Sequence, residues 1–393
     1  MKFYLKLILI YILRVVLKVF YIFPIKRNRI LFSSYEGMSY NCNPKYIFQY
    51  LFEIEHAKLD YIWCINDPLK IPYKYKPAVK TVKFLSFKHV FYLITSKVIV
   101  SNVGIEPFVP LRKKQVFINT WHGSGAYKKV NLNLDIYSNA QKAYMKKIWR
   151  IRSKETTYVL SGCKSFSKVS SRDFGIPIDR FLDTGMPRND NLFNSDPEQV
   201  KLLREEFCDE YKINSKDLLV LYAPTFRGSH THQKQIEANV LNKDVSHAFE
   251  KKFGRPVTFL MRSHHSKSAN NQATINGVNV TDYPDMQLLL QVCDILITDY
   301  SSSMWDYSLL NKDAFLFVPD LNKYQKDIGF YTPIENWPFE YAETIPQFCD
   351  IILNSTNDKR IKKIHHHLQL LGSYESGEAC RKVCKRIINI IDK

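Results

Sequence analysis

Residues 293–306 read CDILITDYSSSMWD. Ile295, Leu296 and Ile297 form an apolar run of strand length, and the polar residues after them end it. Asp299, Ser301 and Ser302 are all good helix N-cap types, and Trp305, Leu309 and Leu310 give a following helix an apolar face. The stretch predicts a buried strand, a short turn and a helix starting near Ser301 or Ser302. At the mouth of an α/β sheet such a junction presents free backbone N–H groups and a positive dipole end to an anion. The Ser301 and Ser302 hydroxyls add donors suited to phosphate, and Asp306 can accept from a sugar or polyol hydroxyl. An ordinary capped helix has the same local signature, so the rest of the chain decides.

The chain has 393 residues, more than one typical domain, and its 45% hydrophobic and 14% aromatic content is enough for two cores. Lys and Arg number 56 against 38 acidic residues, a net charge of +18. That charge suits an anionic partner: nucleic acid, an anionic membrane face or a phosphorylated substrate. The basic residues are spread along the chain rather than gathered in one aromatic-interleaved stripe, which disfavours nucleic acid. Eight cysteines without a CxxC pair point to reduced, buried thiols rather than a disulfide framework or a zinc site.

Residues 3–23, FYLKLILIYILRVVLKVFYIF, are nearly apolar throughout. On a helix, Lys2, Lys6, Arg14 and Lys18 fall within about 160° of arc and leave a wide apolar face. Cations near the middle of a spanning helix cost about 2.5–3.5 kcal/mol each, whereas a helix lying in the interface gains from anionic lipid. No small-residue cleavage site follows. An interfacial membrane helix ending at Pro24 is the expectation; a helix packed on the protein itself, or a signal anchor, is the alternative.

A Rossmann-like alternation follows. Residues 29–34, 60–65, 97–102, 115–120 and 157–161 read as strands, with helices over 43–53 and from about 165. A second alternation has strands at 218–222, 256–261, 278–281, 295–297 and 314–318, with helices over 243–253 and 286–292. Residues 361–371 and 378–391 read as terminal helices, and the charged stretch 193–216 as the boundary. Strands spaced by helices mean a mostly parallel sheet with ligand loops at its carboxyl edge.

Candidate chemical residues gather at those predicted edges. His122 follows a buried strand between Trp121 and the permissive Gly123 and Gly125, a good place for a general base. Arg262, Ser263 and His264 end a strand of the second alternation, where an arginine fork suits phosphate oxygens. Pro224 and Thr225 end the strand before, and Arg188 follows a turn at Gly185. Each signal has a plain alternative as a solvated strand end. Their clustering at the carboxyl ends of two successive α/β domains favours a charged substrate. Walker, GxGxxG, HExxH and GxSxG motifs are absent, as is an acidic metal-binding pair at a strand end.

The ordered set WHGSG, GMPRND, YAPTFR, RSHH and ITDYSSSMWD, with DLNKYQKDIGFY after it, resembles the CDP-glycerol glycerophosphotransferase family, the teichoic acid primases and polymerases. The resemblance covers roughly residues 29–340. It implies two Rossmann-like domains of glycosyltransferase-B type facing across a cleft, at the cytoplasmic face of the membrane as a peripheral protein. It implies transfer of a polyol phosphate from CDP-glycerol or another CDP-polyol to a lipid-linked acceptor hydroxyl, with release of CMP and no certain cofactor or metal. By motif, His122 and His264 are the catalytic residues. Trp121, His122, Gly123, Ser124, Gly125, Arg188, Pro224, Thr225, Arg262, Ser263, His264, Ser301, Ser302 and Asp306 are the donor-binding set. Ser124 and Gly125 stand where the family usually has Thr and Pro, His265 where it often has Pro, and Phe226 where it commonly has Trp. The implied organisation is a membrane helix over 1–28, an acceptor domain over 29–200, a CDP-polyol domain over 201–345 and helices over 346–393 packing back across both. A ribitol-phosphate transferase, a nucleotide-sugar glycosyltransferase of the same fold and an inactive membrane-bound module are the rival readings.

Overall fold

The computed structural model describes residues 2–129, 138–225, 240–263 and 277–393. Two units divide them. The first comprises Met1–Ser124, Val130–Asp190 and Ser373–Lys393; the second comprises Gly125–Lys129 and Asn191–Gly372. The division falls after Asp190 rather than near residue 200. The terminal helices part at Gly372, so Asn357–Leu371 belongs to the second unit and Ala379–Asp392 to the first.

The first unit is built on a seven-stranded sheet. Its strands are β1 (Lys26–Ser33), β2 (Asp60–Cys64), β3 (Val79–Val82), β4 (Ser96–Ser101), β5 (Val116–Asn119), β6 (Tyr158–Leu160) and β7 (Phe181–Leu182). They lie in the order β3-β2-β1-β4-β5-β6-β7, every pair parallel. Apolar residues leave both faces of the sheet. Ile30 and Phe32 pack with Trp63 and Val100 on one side, where Val383, Cys384, Ile387 and Ile391 of the last helix close the core. Leu31, Ile62 and Ile99 pack on the other side with Leu93 and Ile94 of the helix Phe87–Thr95.

The second unit has β8 (Leu218–Tyr222), β9 (Val257–Met261), β10 (Val278–Asn279), β11 (Ile295–Thr298), β12 (Asp313–Phe317) and β13 (Glu340–Ala342), in the order β10-β9-β8-β11-β12-β13, again all parallel. β8 and β11 are buried along their whole length, as their unbroken apolar runs require. The helix Lys243–Phe253 starts where Asn242 accepts the Val245 N–H and stops at Gly254 in the left-handed region, φ 65°. In both sheets the strand order reverses at the first strand, between β1 and β4 and between β8 and β11. Doubly wound folds bind ligands at such a crevice.

The N-terminal segment corrects one expectation. The helix Lys2–Val16 turns Leu7 and Ile10 onto Ile148 and Ile151 of the helix Asn139–Glu155. Arg14 belongs to that inward side: it pairs with Glu155 and donates to the carbonyls of Pro107 and Val109. It is therefore not part of a lipid-facing basic stripe. Leu5, Ile8, Leu9, Ile12, Val15, Val16 and Val19 remain exposed. Among the described residues no helix is long and apolar enough to cross a membrane. All eight cysteines are free, and seven are buried.

Asp60, at the start of β2, fastens the amino edge of the first sheet. Its Oδ2 accepts from Lys26 and Arg29 and its Oδ1 from Lys80, at 3.0, 2.8 and 2.7 Å. Burial alone would raise its pKa, but those three hydrogen bonds and the Arg29 charge outweigh burial and hold the carboxyl well below the usual range. A depressed native pKa gives stability that is present above the unfolded value and lost as the pH falls. Asp60→Asn should therefore cost about 1–3 kcal/mol at pH 7. In urea titrations the gap to the parent protein should narrow below about pH 4.

Candidate active site

β5 ends at Asn119, and the chain then runs through Thr120 and Trp121 to His122. Trp121 has φ 53°, in the left-handed region, and its N–H donates to Asn119 Oδ1 at 3.0 Å. Its indole stacks on the His122 imidazole, centroids 4.6 Å apart at 28°, and packs on Phe174. His122 Nδ1 lies 2.9 Å from the carbonyl oxygen of Asn102, just past β4. A carbonyl can only accept, so the ring carries a proton at Nδ1, and in the neutral imidazole Nε2 then holds the lone pair. The Tyr35 ring, after β1, lies 5.7 Å from the imidazole.

Asn43 ties this loop to the GMPRND segment. It is fully buried; its Nδ2 donates to the carbonyls of Thr120 and Trp121, both at 3.1 Å, and its Oδ1 accepts the Arg188 N–H at 3.1 Å. The Arg188 guanidinium donates to the His122 carbonyl at 2.7 Å. The rest of the segment faces its own unit. Glu375 accepts from the Met186 N–H and from Asn189 Nδ2, and Asp190 accepts the N–H groups of Ala379 and Cys380 at the start of the last helix. Ser124 is buried, and its Oγ would lie 2.5 Å from any Cβ on Gly162, so a larger residue there would have to displace the Ser124 side chain. Gly125 has φ 74°, and a Cβ there would fall 2.4 Å from the Tyr127 ring.

In the second unit the ends of β8, β9 and β11 are neighbours in the sheet. They bring Pro224 and Thr225, Arg262 and Ser263, and Ser301 and Ser302 to one edge. Asp299 accepts the Thr225 N–H with both carboxylate oxygens, at 2.9 and 3.0 Å, across the point where the strand order reverses. Arg262 donates to the carbonyls of Val280 and Tyr283, and the Ser263 N–H to Thr281 Oγ1. The helix after β11 is Ser303–Ser308, six residues long and beginning one to two residues later than expected. Ser301 Oγ accepts the Ser303 N–H, while Asp306 is buried and accepts from Gln287 Nε2 at 2.9 Å. His264 lies outside the described residues, as do Phe226 and His265. Within the first unit Trp121, His122 and Arg188 come together, with Gly123 and Ser124 next in the same loop; Gly125, Pro224, Thr225, Arg262, Ser263, Ser301, Ser302 and Asp306 belong to the second.

Comparison with known proteins bears on this geometry. The family model described as CDP-Glycerol:Poly(glycerophosphate) glycerophosphotransferase matches residues 15–389. The chain belongs to this family. Over 390 residues it is 26% identical to the teichoic acid poly(glycerol phosphate) polymerase of Bacillus spizizenii (strain ATCC 23059 / NRRL B-14472 / W23), covering 97% of each chain. It is 27% identical over 320 residues to the enzyme of that name from Bacillus subtilis (strain 168), of which it spans 42%. The solved structure of the wall teichoic acid polymerase TagF shares its fold, with a TM-score of 0.80 at 24% identity over 94% of this chain and 90% of that one. Like the family, the chain is a glycerophosphotransferase-type enzyme, with two parallel α/β sheets.

Sequence reasoning missed Asn43, Asn102 and Asn119, and it took Asp299 for a helix cap where the structure has it holding the Thr225 N–H. Their signal was an amide or carboxylate at or just beyond a strand's carboxyl end, or at the start of the facing helix. Asn43→Ala would take the Asn43 donor from the buried Thr120 carbonyl and leave the Trp121 carbonyl with Thr120 Oγ1 alone. It should lower stability by about 1–3 kcal/mol in urea unfolding, with a matching loss of melting temperature.

Proposed function

We propose that this enzyme transfers glycerol phosphate from CDP-glycerol to the terminal hydroxyl of a lipid-linked glycan or polyol phosphate chain, releasing CMP. The first unit supplies the base and the second the donor contacts, in a glycosyltransferase-B architecture. His122 Nε2 takes the acceptor proton, and the acceptor oxygen attacks the phosphorus that bears glycerol. A new P–O bond forms there as the bond to the bridging oxygen breaks, and the electron pair leaves with CMP. Arg262, Ser263, Ser301 and Ser302, with His264, hold the diphosphate and meet the charge that grows on the leaving phosphate. Thr225, Pro224 and Asp306 complete the donor set, and Arg188 holds the His122 loop through its carbonyl. Most of the acceleration comes from positioning and electrostatics.

The observation that carries this reading is the hydrogen bond from His122 Nδ1–H to the Asn102 carbonyl, which leaves Nε2 as a proton acceptor at the carboxyl edge of a doubly wound sheet. His122→Ala should lower kcat by about 10²–10⁴ while leaving CDP-glycerol affinity within about threefold. A CMP-release assay with CDP-glycerol, CDP-ribitol and UDP-sugars side by side names the donor. Turnover of a UDP-sugar alone would replace this function with sugar transfer.

The exposed apolar side of the N-terminal helix, flanked by Lys6 and Lys18, suits the anionic inner face of a membrane. It would hold the enzyme peripherally, next to a lipid-linked acceptor. An Ile8→Glu, Ile12→Glu variant should lose co-sedimentation with phosphatidylglycerol vesicles yet keep its turnover of a water-soluble acceptor. Vesicle binding equal to the parent protein would remove the helix from this role.

A further inference from the structure

Two aromatic residues that pack on the His122 imidazole both adopt the left-handed backbone conformation: Tyr35 at φ 46° and Trp121 at φ 53°. For a bulky residue that conformation costs about 1–2 kcal/mol and persists only where the surroundings impose it. In each case an asparagine imposes it. Asn102 Oδ1 accepts the Tyr35 N–H at 2.8 Å, and Asn119 Oδ1 accepts the Trp121 N–H at 3.0 Å. Asn119 reaches two residues ahead, as in an Asx-turn, whereas Asn102 reaches 67 residues back to the loop after β1. Both amides are buried, at 0 and 4% exposure, and they stand at the ends of neighbouring strands, with Ser101 and Asn119 register partners across β4 and β5.

We infer that Asn102 and Asn119 are positioning residues for His122: their side chains fix the two rings that hold the imidazole plane, and the Asn102 main chain fixes its tautomer. Asn102 thus acts on the base twice, through its carbonyl at Nδ1 and through its side chain by way of Tyr35. Neither residue needs to touch substrate. The pair explains why two costly backbone conformations are kept around one imidazole, each answered by an amide at the end of an adjacent strand. This inference rests on His122 being the base.

The test measures kcat, KM and donor affinity for Asn102→Ala and Asn119→Ala, with the acidic replacements Asn102→Asp and Asn119→Asp, which keep an oxygen to accept the main-chain N–H of Tyr35 or Trp121. The alanine variants should lose about 10–100-fold in kcat, with CDP-glycerol Kd and KM within about twofold. The Asp variants should recover most of that loss. In 15N–1H correlation spectra of the full-length protein, His122 should show a single Nδ1–H tautomer, and in the alanine variants, which keep the Asn102 carbonyl, its ring signals should broaden as the ring loses its fixed plane. Alanine variants with unchanged kcat, or with a loss matched in donor affinity, overturn the inference. Where an alanine variant melts below the assay temperature, its Asp counterpart decides: parental kcat supports the inference, and a folded enzyme slowed beyond about tenfold overturns it. His122→Ala, run in parallel, separates the two claims. If that variant keeps its turnover the base assignment falls, while the tautomer spectra still report whether the asparagines order the ring.

Discussion

Where β5 runs out, the carbonyls of Thr120 and Trp121 have no further strand to meet, and Asn43 meets both. A buried carbonyl left unmet costs more than most single contacts gain, so this one amide sets how the chain may leave the sheet. Because Asn43 also receives the Arg188 N–H, and Arg188 holds the His122 carbonyl, three separated stretches share one hydrogen-bond cycle. The imidazole is therefore placed by backbone groups that cannot move independently. In the second unit Asp299, just past β11, accepts the Thr225 N–H, as Asn102, just past β4, accepts the Tyr35 N–H in the first; each stands where its sheet's strand order reverses.

The strands that could be read from the sequence were those whose apolar runs left no alternative, such as LLVLY at β8 and ILIT at β11. The helix Lys243–Phe253 was legible because Asn242 and Gly254 mark its ends. β3, reading VKTV, and β13, reading EYA, were not, because edge strands carry polar residues and their pairing depends on partners distant in sequence. The helix Asn139–Glu155 was also missed, since its apolar face is thin and its residues are mostly basic or polar. At the site, His122, Arg262 and the serines after β11 were visible as chemical types. The asparagines that hold the loops were not, because an amide beside a strand looks like an ordinary turn residue until its distant partner is known. The helix after β11 came out six residues long, with Asp306 turned to Gln287, because Leu309 and Leu310 continue in turns rather than a further helical face.

Helical spacing also misassigned Arg14. Counting angles grouped it with Lys6 and Lys18, but the partner that decides its side is Glu155, far along the chain. Once Arg14 joins the packed side, with Leu7 and Ile10, the exposed side is more apolar than the sequence suggested, not less.

The first unit is discontinuous, and this fixes an order of events during synthesis. By the time residue 372 has left the ribosome every strand of the second sheet exists, but the first sheet still lacks Val383, Cys384, Ile387 and Ile391 on one side. Its amino-terminal strands must wait, with one apolar surface uncovered, for residues 373–393 to emerge. The usual vectorial order is thereby inverted, since the later-made unit can close first. Asp190 binds that returning segment, and Glu375 within it binds Met186 and Asn189, so the edge that carries His122 is completed only once residues 373–393 are made.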